Sequence, residues 1–292
     1  MSDVQLIADT KNVLGEGPIW CPIEKALYWV DNLDPKIHRY DPAKGNVQTW
    51  PMPEEIGSMV LRDGGGIVAA MKSGFCFIDL ETGKIDPIVD PEPDKPDNRM
   101  NDGKCDRRGR YWCGSMNSYF PATEPTAALY KLDPDLRCSK MDEGFIVSNG
   151  MAWSPDDRTM YFADTRADIV YAYDFDIDTG NISNRRDFIS TADSPGRADG
   201  ATVDAEGFYW CALVWDWSVV RYDPKGREDR RIRLPVRNPT CVAFGGDNLE
   251  VLYVTSSVAR QAAEDLANQP MAGGLMAIDV GVKGLPEPRF AG

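Results

Sequence analysis

The chain has 292 residues, 42% of them hydrophobic, and sets 46 Asp and Glu against 32 Lys and Arg, a formal net charge of −14. Such a field repels phosphate backbones and anionic lipid, so nucleic acid and membrane are poor partners. A single histidine, His38, excludes multi-histidine zinc sites and confines any Ser-His-Asp or Cys-His mechanism to that one residue.

No apolar run approaches the roughly 20 residues of a membrane span. The start, Met1-Ser2-Asp3-Val4-Gln5, lacks the basic and apolar regions of a secretion leader, and a soluble cytoplasmic protein is expected. The seven cysteines are odd in number, scattered and never spaced CxxC, which argues for buried small hydrophobes over disulfides or a zinc knuckle.

In chain order, Val4 to Ala8 comes first and has no sheet of its own, so it is expected to pair as an outer strand with the last unit. One short aromatic strand then recurs as Leu27-Tyr28-Trp29-Val30-Asp31, Met160-Tyr161-Phe162-Ala163-Asp164, Phe208-Tyr209-Trp210-Cys211-Ala212 and Val251-Leu252-Tyr253-Val254-Thr255. A second hairpin follows most copies, as at Ile37-His38-Arg39-Tyr40-Asp41-Pro42, with Asp-Pro or Thr-Gly at its turn. His38 reads there as a hydrogen-bonded strand histidine. Asp174-Phe175-Asp176-Ile177-Asp178 begins like an EF-hand loop, but Arg185 stands where a glutamate is required, so it reads as a solvated hairpin. The one helix expected lies within Val258 to Gln269, capped by Ser257.

Four strands per unit make a propeller blade. Aligned on Gly17, Gly57, Gly103, Gly150, Gly200 and Thr240, which open the first strand of each unit, the intervals are 40, 46, 47, 50 and 40 residues. The expected fold is therefore all-β, a six-bladed β-propeller of four-stranded blades in one domain over 1–292.

Residues opening the innermost strands crowd around the axis of a propeller. Those positions hold Glu16, Asn101 with Asp102, Asn149 and Asp199, a ring of carboxylate and amide oxygens suited to a hard cation. Asp102-Gly103, Asn149-Gly150 and Asp199-Gly200 are also strong turn dipeptides, so each alone reads equally as a turn.

The segments Leu14-Gly15-Glu16-Gly17-Pro18-Ile19-Trp20, Arg99-Met100-Asn101-Asp102-Gly103-Lys104, Ser148-Asn149-Gly150-Met151-Ala152-Trp153-Ser154 and Asp199-Gly200-Ala201-Thr202-Val203-Asp204 resemble successive signatures of the regucalcin (senescence marker protein)/gluconolactonase family. That resemblance implies a hydrolase of sugar-acid lactones. It makes Glu16, Asn149 and Asp199 ligands of one divalent cation (Ca, Mg, Mn, Zn or Fe(II)), with Asp199 also catalytic. Arg99 and Asn101 become substrate contacts, and Asp102 either an orienting residue behind the ligands or a turn aspartate. Some animal members carry paired acidic residues after the segment corresponding to Cys113-Gly114-Ser115-Met116; here Asn117-Ser118-Tyr119 follow, which changes the pocket and places Tyr119 at its wall. Trp215 and Asp216 are candidates for its rim, with ordinary packing the alternative reading of Trp215 and Trp217.

A phosphotriesterase-type hydrolase on the same metal site, or a calcium-binding protein without turnover, are the rival readings. A monomer or weak homo-oligomer acting on a small sugar lactone is expected.

Overall fold

The computed structural model describes residues 3–292; Met1 and Ser2, two of the residues read for a secretion leader, lie outside the described residues. The described residues form 24 strands in six four-stranded antiparallel sheets, the blades of a β-propeller. The inner strands are Gly15–Cys21, Ile56–Leu61, Asn98–Cys105, Ser148–Trp153, Arg197–Val203 and Pro239–Gly245. Five blades run outward from that strand in chain order. In the sixth, Val4–Ala8 pairs antiparallel with Leu275–Asp279 as the outer strand, so the two ends of the chain close the ring.

Burial decreases from the axis outward, and the residue types follow it. Ala26–Asp31, next to the inner strand of blade one, is buried on both faces because neighbouring blades cover it. The outer strand Asn46–Pro51 is half-buried or exposed throughout. Aromatic residues occupy the wide wedge between blades, as where Trp20 stacks on Tyr253 with ring centroids 6.1 Å apart across the closing seam. His38 is buried on the strand Lys36–Asp41, stacked on Trp29, with Nδ1 2.9 Å from Thr49 Oγ1 and Nε2 lacking a partner among the described residues. Burial lowers its pKa to about 4. The cysteines are all free, and only Cys138 is not fully buried.

Every inner strand carries one residue more than its neighbour at the same point. In blade one, Glu16 and Ile19 pair with Val30 and Tyr28, and in blade four, Asn149 and Ala152 pair with Ala163 and Tyr161. Equivalent shifts fall at Ile56/Ser58, Met100/Gly103, Ala198/Ala201 and Pro239/Val242. Each is a β-bulge, which leaves the ladder locally unpaired and re-aims a side chain.

Aspartates ending the second strands fix how the chain enters these bulges. Asp31 accepts the N–H groups of Val13 and Leu14 at 2.7 and 3.0 Å, and Asp164 those of Ile146 and Val147 at 2.9 and 3.0 Å. The repeated aspartate of the aromatic strand thus anchors Glu16 and Asn149 from behind.

The helix departs from the sequence expectation. It spans only Ala263–Ala267, and Ala262 precedes it without a side-chain cap. Ser257 is not its cap: its hydroxyl donates to Val13 O at 2.6 Å and accepts the Ala259 N–H at 3.0 Å. Residues 257–259 are held against the first blade instead, and left-handed backbone at Arg260 (φ 57°) interrupts helical geometry before Ala263. No helix among the described residues is long and apolar enough to cross a membrane.

Because hydrogen bonds to a charged acceptor contribute about 1.5–3 kcal/mol, Asp164→Ala should destabilise the fold by about 2–3 kcal/mol. Urea denaturation measures this; an unchanged midpoint would contradict the anchoring role.

Candidate functional site

A cavity of about 120 Å³ lies where the bulges converge. Glu16, Arg99, Asn101, Asn149 and Asp199, contributed by blades one, three, four and five, line it, and all five are less than 10% exposed. Four residues singled out by their place in the repeat, Glu16, Asn101, Asn149 and Asp199, therefore meet in one cleft with Arg99, which the family resemblance adds.

A hydrogen-bond chain fixes the amides. Arg99 Nη1 donates to Asn101 Oδ1 at 2.8 Å, and Asn101 Nδ2 donates to Ser148 O at 2.8 Å and to Asn149 Oδ1 at 3.2 Å. Asn149 Nδ2 donates to Thr165 Oγ1 at 2.8 Å, while the Thr165 hydroxyl donates to Ala198 O at 2.7 Å. Both ends of the chain are unambiguous, since a guanidinium only donates and a backbone carbonyl only accepts. Asn149 must therefore turn its NH₂ to Thr165 and its oxygen the other way, keeping a lone pair beyond the one Asn101 uses.

The carboxylates are placed differently. Glu16 accepts the Gly17 N–H at 3.3 Å, and among the described residues no side chain donates to Glu16 or Asp199. Burial raises the pKa of Glu16 well above the carboxylate range, with further increments from the charges of Asp199 and Asp102. Burial likewise raises Asp199, and the Asp102 charge adds to it. Arg99 compensates both only partly, since it also pairs with Glu55 at 3.5 Å and is itself lowered by burial.

Asp102 does not line the cavity. It is buried behind it, accepting the N–H groups of Gly103 at 2.9 Å and Met151 at 3.4 Å, with Lys104 as its nearest compensating charge. Gly150 is required at the bulge: its φ is +59°, and a Cβ there would stand 2.5 Å from the Tyr209 hydroxyl and 2.9 Å from Asp199 O.

Two buried carboxylates without side-chain donors, beside an amide oxygen aimed by its neighbours, suit an oxygen-preferring divalent cation. Among the described residues no three His, Cys, Asp or Glu gather as a metal-binding group, so an all-acid or thiolate site is not the arrangement found. Glu16, Asn149 and Asp199 are the residues that could hold the ion.

The pocket wall differs from expectation at two points. Tyr119 is 69% exposed and does not line the cleft; Phe120 does. Asn117 Oδ1 accepts the Tyr119 N–H, making a turn that turns the chain before Phe120 enters. Trp215 reaches the cavity, but Asp216 is buried beside it and committed to Arg231, Arg233 and Ser218. Thr165, Arg166 and Arg260 also line the cleft; Thr165 directly follows the aromatic strand of blade four, and no repeat position singles it out.

A six-bladed propeller with an oxygen-lined axial cleft is the class these features define. Residues 14–258 match the SMP-30/gluconolactonase/LRE-like region, and the chain belongs to that family. It is 39% identical over 96% of both chains to a 6-deoxy-6-sulfogluconolactonase of Pseudomonas putida. It is also 34% identical to an L-arabinolactonase of Azospirillum brasilense, covering 98% of this chain and 95% of that one. Among solved structures it resembles regucalcin from Agrobacterium tumefaciens, described as a calcium-binding protein, with a TM-score of 0.94, 27% identity, and coverage of 99% of this chain and 97% of that one.

If Thr165 aims the Asn149 oxygen, Thr165→Val should weaken divalent-cation affinity by about 10–100-fold while Thr165→Ser retains most of it. Calorimetric titration decides; equal affinity in Thr165→Val would refute the relay.

The raised carboxylates also set a pH dependence. Their folded pKa values exceed the unfolded ones, so between the two the native state holds protons that the unfolded chain has released. Their contribution to cation-free stability is therefore greatest at low pH and is lost as pH rises through the folded values. In chelator, the Tm of Glu16→Gln relative to wild type should rise by a margin that widens as pH is raised above the ordinary glutamate pKa of about 4.3. A margin that shrinks with pH would contradict this.

Proposed function

We propose that the chain is a divalent-cation-dependent hydrolase that opens the lactone ring of a sugar acid to the free aldonate. The observation that carries the reading is the pair of buried carboxylates without side-chain donors, Glu16 and Asp199, beside the oriented Asn149 amide and the Arg99–Asn101 pair. The relatives named sulfogluconolactonase and arabinolactonase support lactone hydrolysis.

In this reading Glu16, Asn149 and Asp199 hold the ion, which when bound supplies Lewis-acid polarisation of the lactone carbonyl. Asp199 accepts the proton of a water whose oxygen bonds to the acyl carbon. The bond between that carbon and the ring oxygen breaks, and the ring oxygen leaves as a hydroxyl carrying the proton returned by Asp199. Arg99 and Asn101 hold sugar hydroxyls and orient the ring over Asp199. Asp102 has no contact with substrate; its charge, held by two backbone N–H groups, strengthens the demand for a cation at Glu16 and Asp199.

Asp199→Asn should stay folded and lose at least about 10²-fold in kcat on aldonolactones, the scale of a lost general base. Proton release over a panel of pentono- and hexonolactones and an aryl phosphotriester, with and without added cations, is the measurement. A wild-type rate in Asp199→Asn, or turnover of the phosphotriester alone, would overturn the proposal.

A further inference from the structure

The cleft has an acidic floor and a basic mouth. Glu16 and Asp199 are buried, whereas Arg166 is half-buried and Arg260 exposed on the same cavity. In a chain of net charge −14 most arginines find a carboxylate, as Arg197 does in Asp168 and Arg221 in Asp204. Among the described residues neither Arg166 nor Arg260 has one within ion-pair distance; Arg166 Nε donates to a carbonyl, and Arg260 stacks on a ring.

One short segment positions both. The Arg260 guanidinium lies 3.8 Å from the centroid of Phe120, and Arg166 Nε donates to Ala122 O at 3.2 Å. Ala122 is in turn buried against Met116 and Val147, which anchors the segment to the propeller. Stacking occupies the face of a guanidinium and leaves its in-plane N–H groups uncommitted.

Arg260 also stands close enough to Arg99 for its charge to weaken the hold of Arg99 on its proton, and no carboxylate offsets the loss of hydration at Arg260 itself. Like charges gathered at a cleft without a counter-charge are stabilised by an anionic ligand. The floor repels an anion, so the anionic group belongs at the mouth.

We propose that Arg260 and Arg166 form an oxyanion subsite that selects lactones bearing a negatively charged substituent, a sulfonate, phosphate or carboxylate, on the part of the ring remote from the acyl carbon. This rests on the cleft being the site of lactone hydrolysis. Forked N–H groups engage two oxygens of such a group at once, which a neutral hydroxymethyl group cannot match.

The test compares kcat/KM for glucono-1,5-lactone with its 6-sulfonate, 6-phosphate and 6-carboxylate analogues, in wild type, Arg260→Ala, Arg260→Lys and Arg166→Ala, each loaded with cation. Wild type should favour at least one anionic lactone tenfold or more, and the preferred arm identifies the oxyanion. Arg260→Ala should cut that ratio at least tenfold through the KM of the anionic lactone, Arg260→Lys should recover part of it, and Arg166→Ala should lower it. A wild type indifferent to charge, or a ratio unchanged in Arg260→Ala, overturns the subsite. Should wild type hydrolyse no lactone, the proposed function fails, and calorimetric binding of open-chain 6-sulfogluconate against gluconate judges the subsite. Tighter sulfonate binding lost in Arg260→Ala upholds it; equal binding overturns it.

Discussion

The extra residue in each inner strand is the constraint on which the site depends. A regular strand would alternate its side chains between the two faces of a blade, where neighbouring blades bury them in apolar packing. The bulge breaks that alternation where the strand begins and leaves polar side chains at the axis. Asp31 and Asp164 hold the entering backbone, and Gly150 permits a left-handed turn with no room for a Cβ. Four blades can then deliver polar side chains to one small cavity while their strands remain sequestered.

That delivery is electrostatically costly without a cation. Glu16, Asp102 and Asp199 bring three carboxylates into a dry region where Arg99 and Lys104 are the principal compensation. Burying a charge without a partner is strongly unfavourable, and strain of this kind is characteristic of binding sites. The hydrogen-bond chain from Arg99 to Ala198 O spans blades three to five, so it orients Asn149 by contacts that have no dependence on the ion.

The blade count and most axial residues were legible because the chain repeats: Glu16, Asn149 and Asp199 each directly precede the aligned glycine, Asn101 stands one place earlier, and repeat position maps onto proximity in a ring. The closing strand was legible because Val4–Ala8 lacked any neighbour of its own. What escaped the sequence lies in loops with no repeat to align. Ser257 looks like a helix cap, but tertiary pairing of residues 257–259 with the first blade overrides local propensity. Asp216 looks available to the cavity beside Trp215, yet Arg231 and Arg233 arrive from the outer strand of the same blade to claim it. Thr165 and Arg260 acquire their roles only from what faces them across blades.

Diffraction from a crystal soaked in manganese reports most directly whether Glu16, Asn149 and Asp199 form one cation site. A single strong anomalous peak on the axis, with oxygens of all three residues at roughly 2.0–2.6 Å, is the expected result. A peak that excludes any of the three, or an axis without anomalous density at saturating manganese, would contradict it.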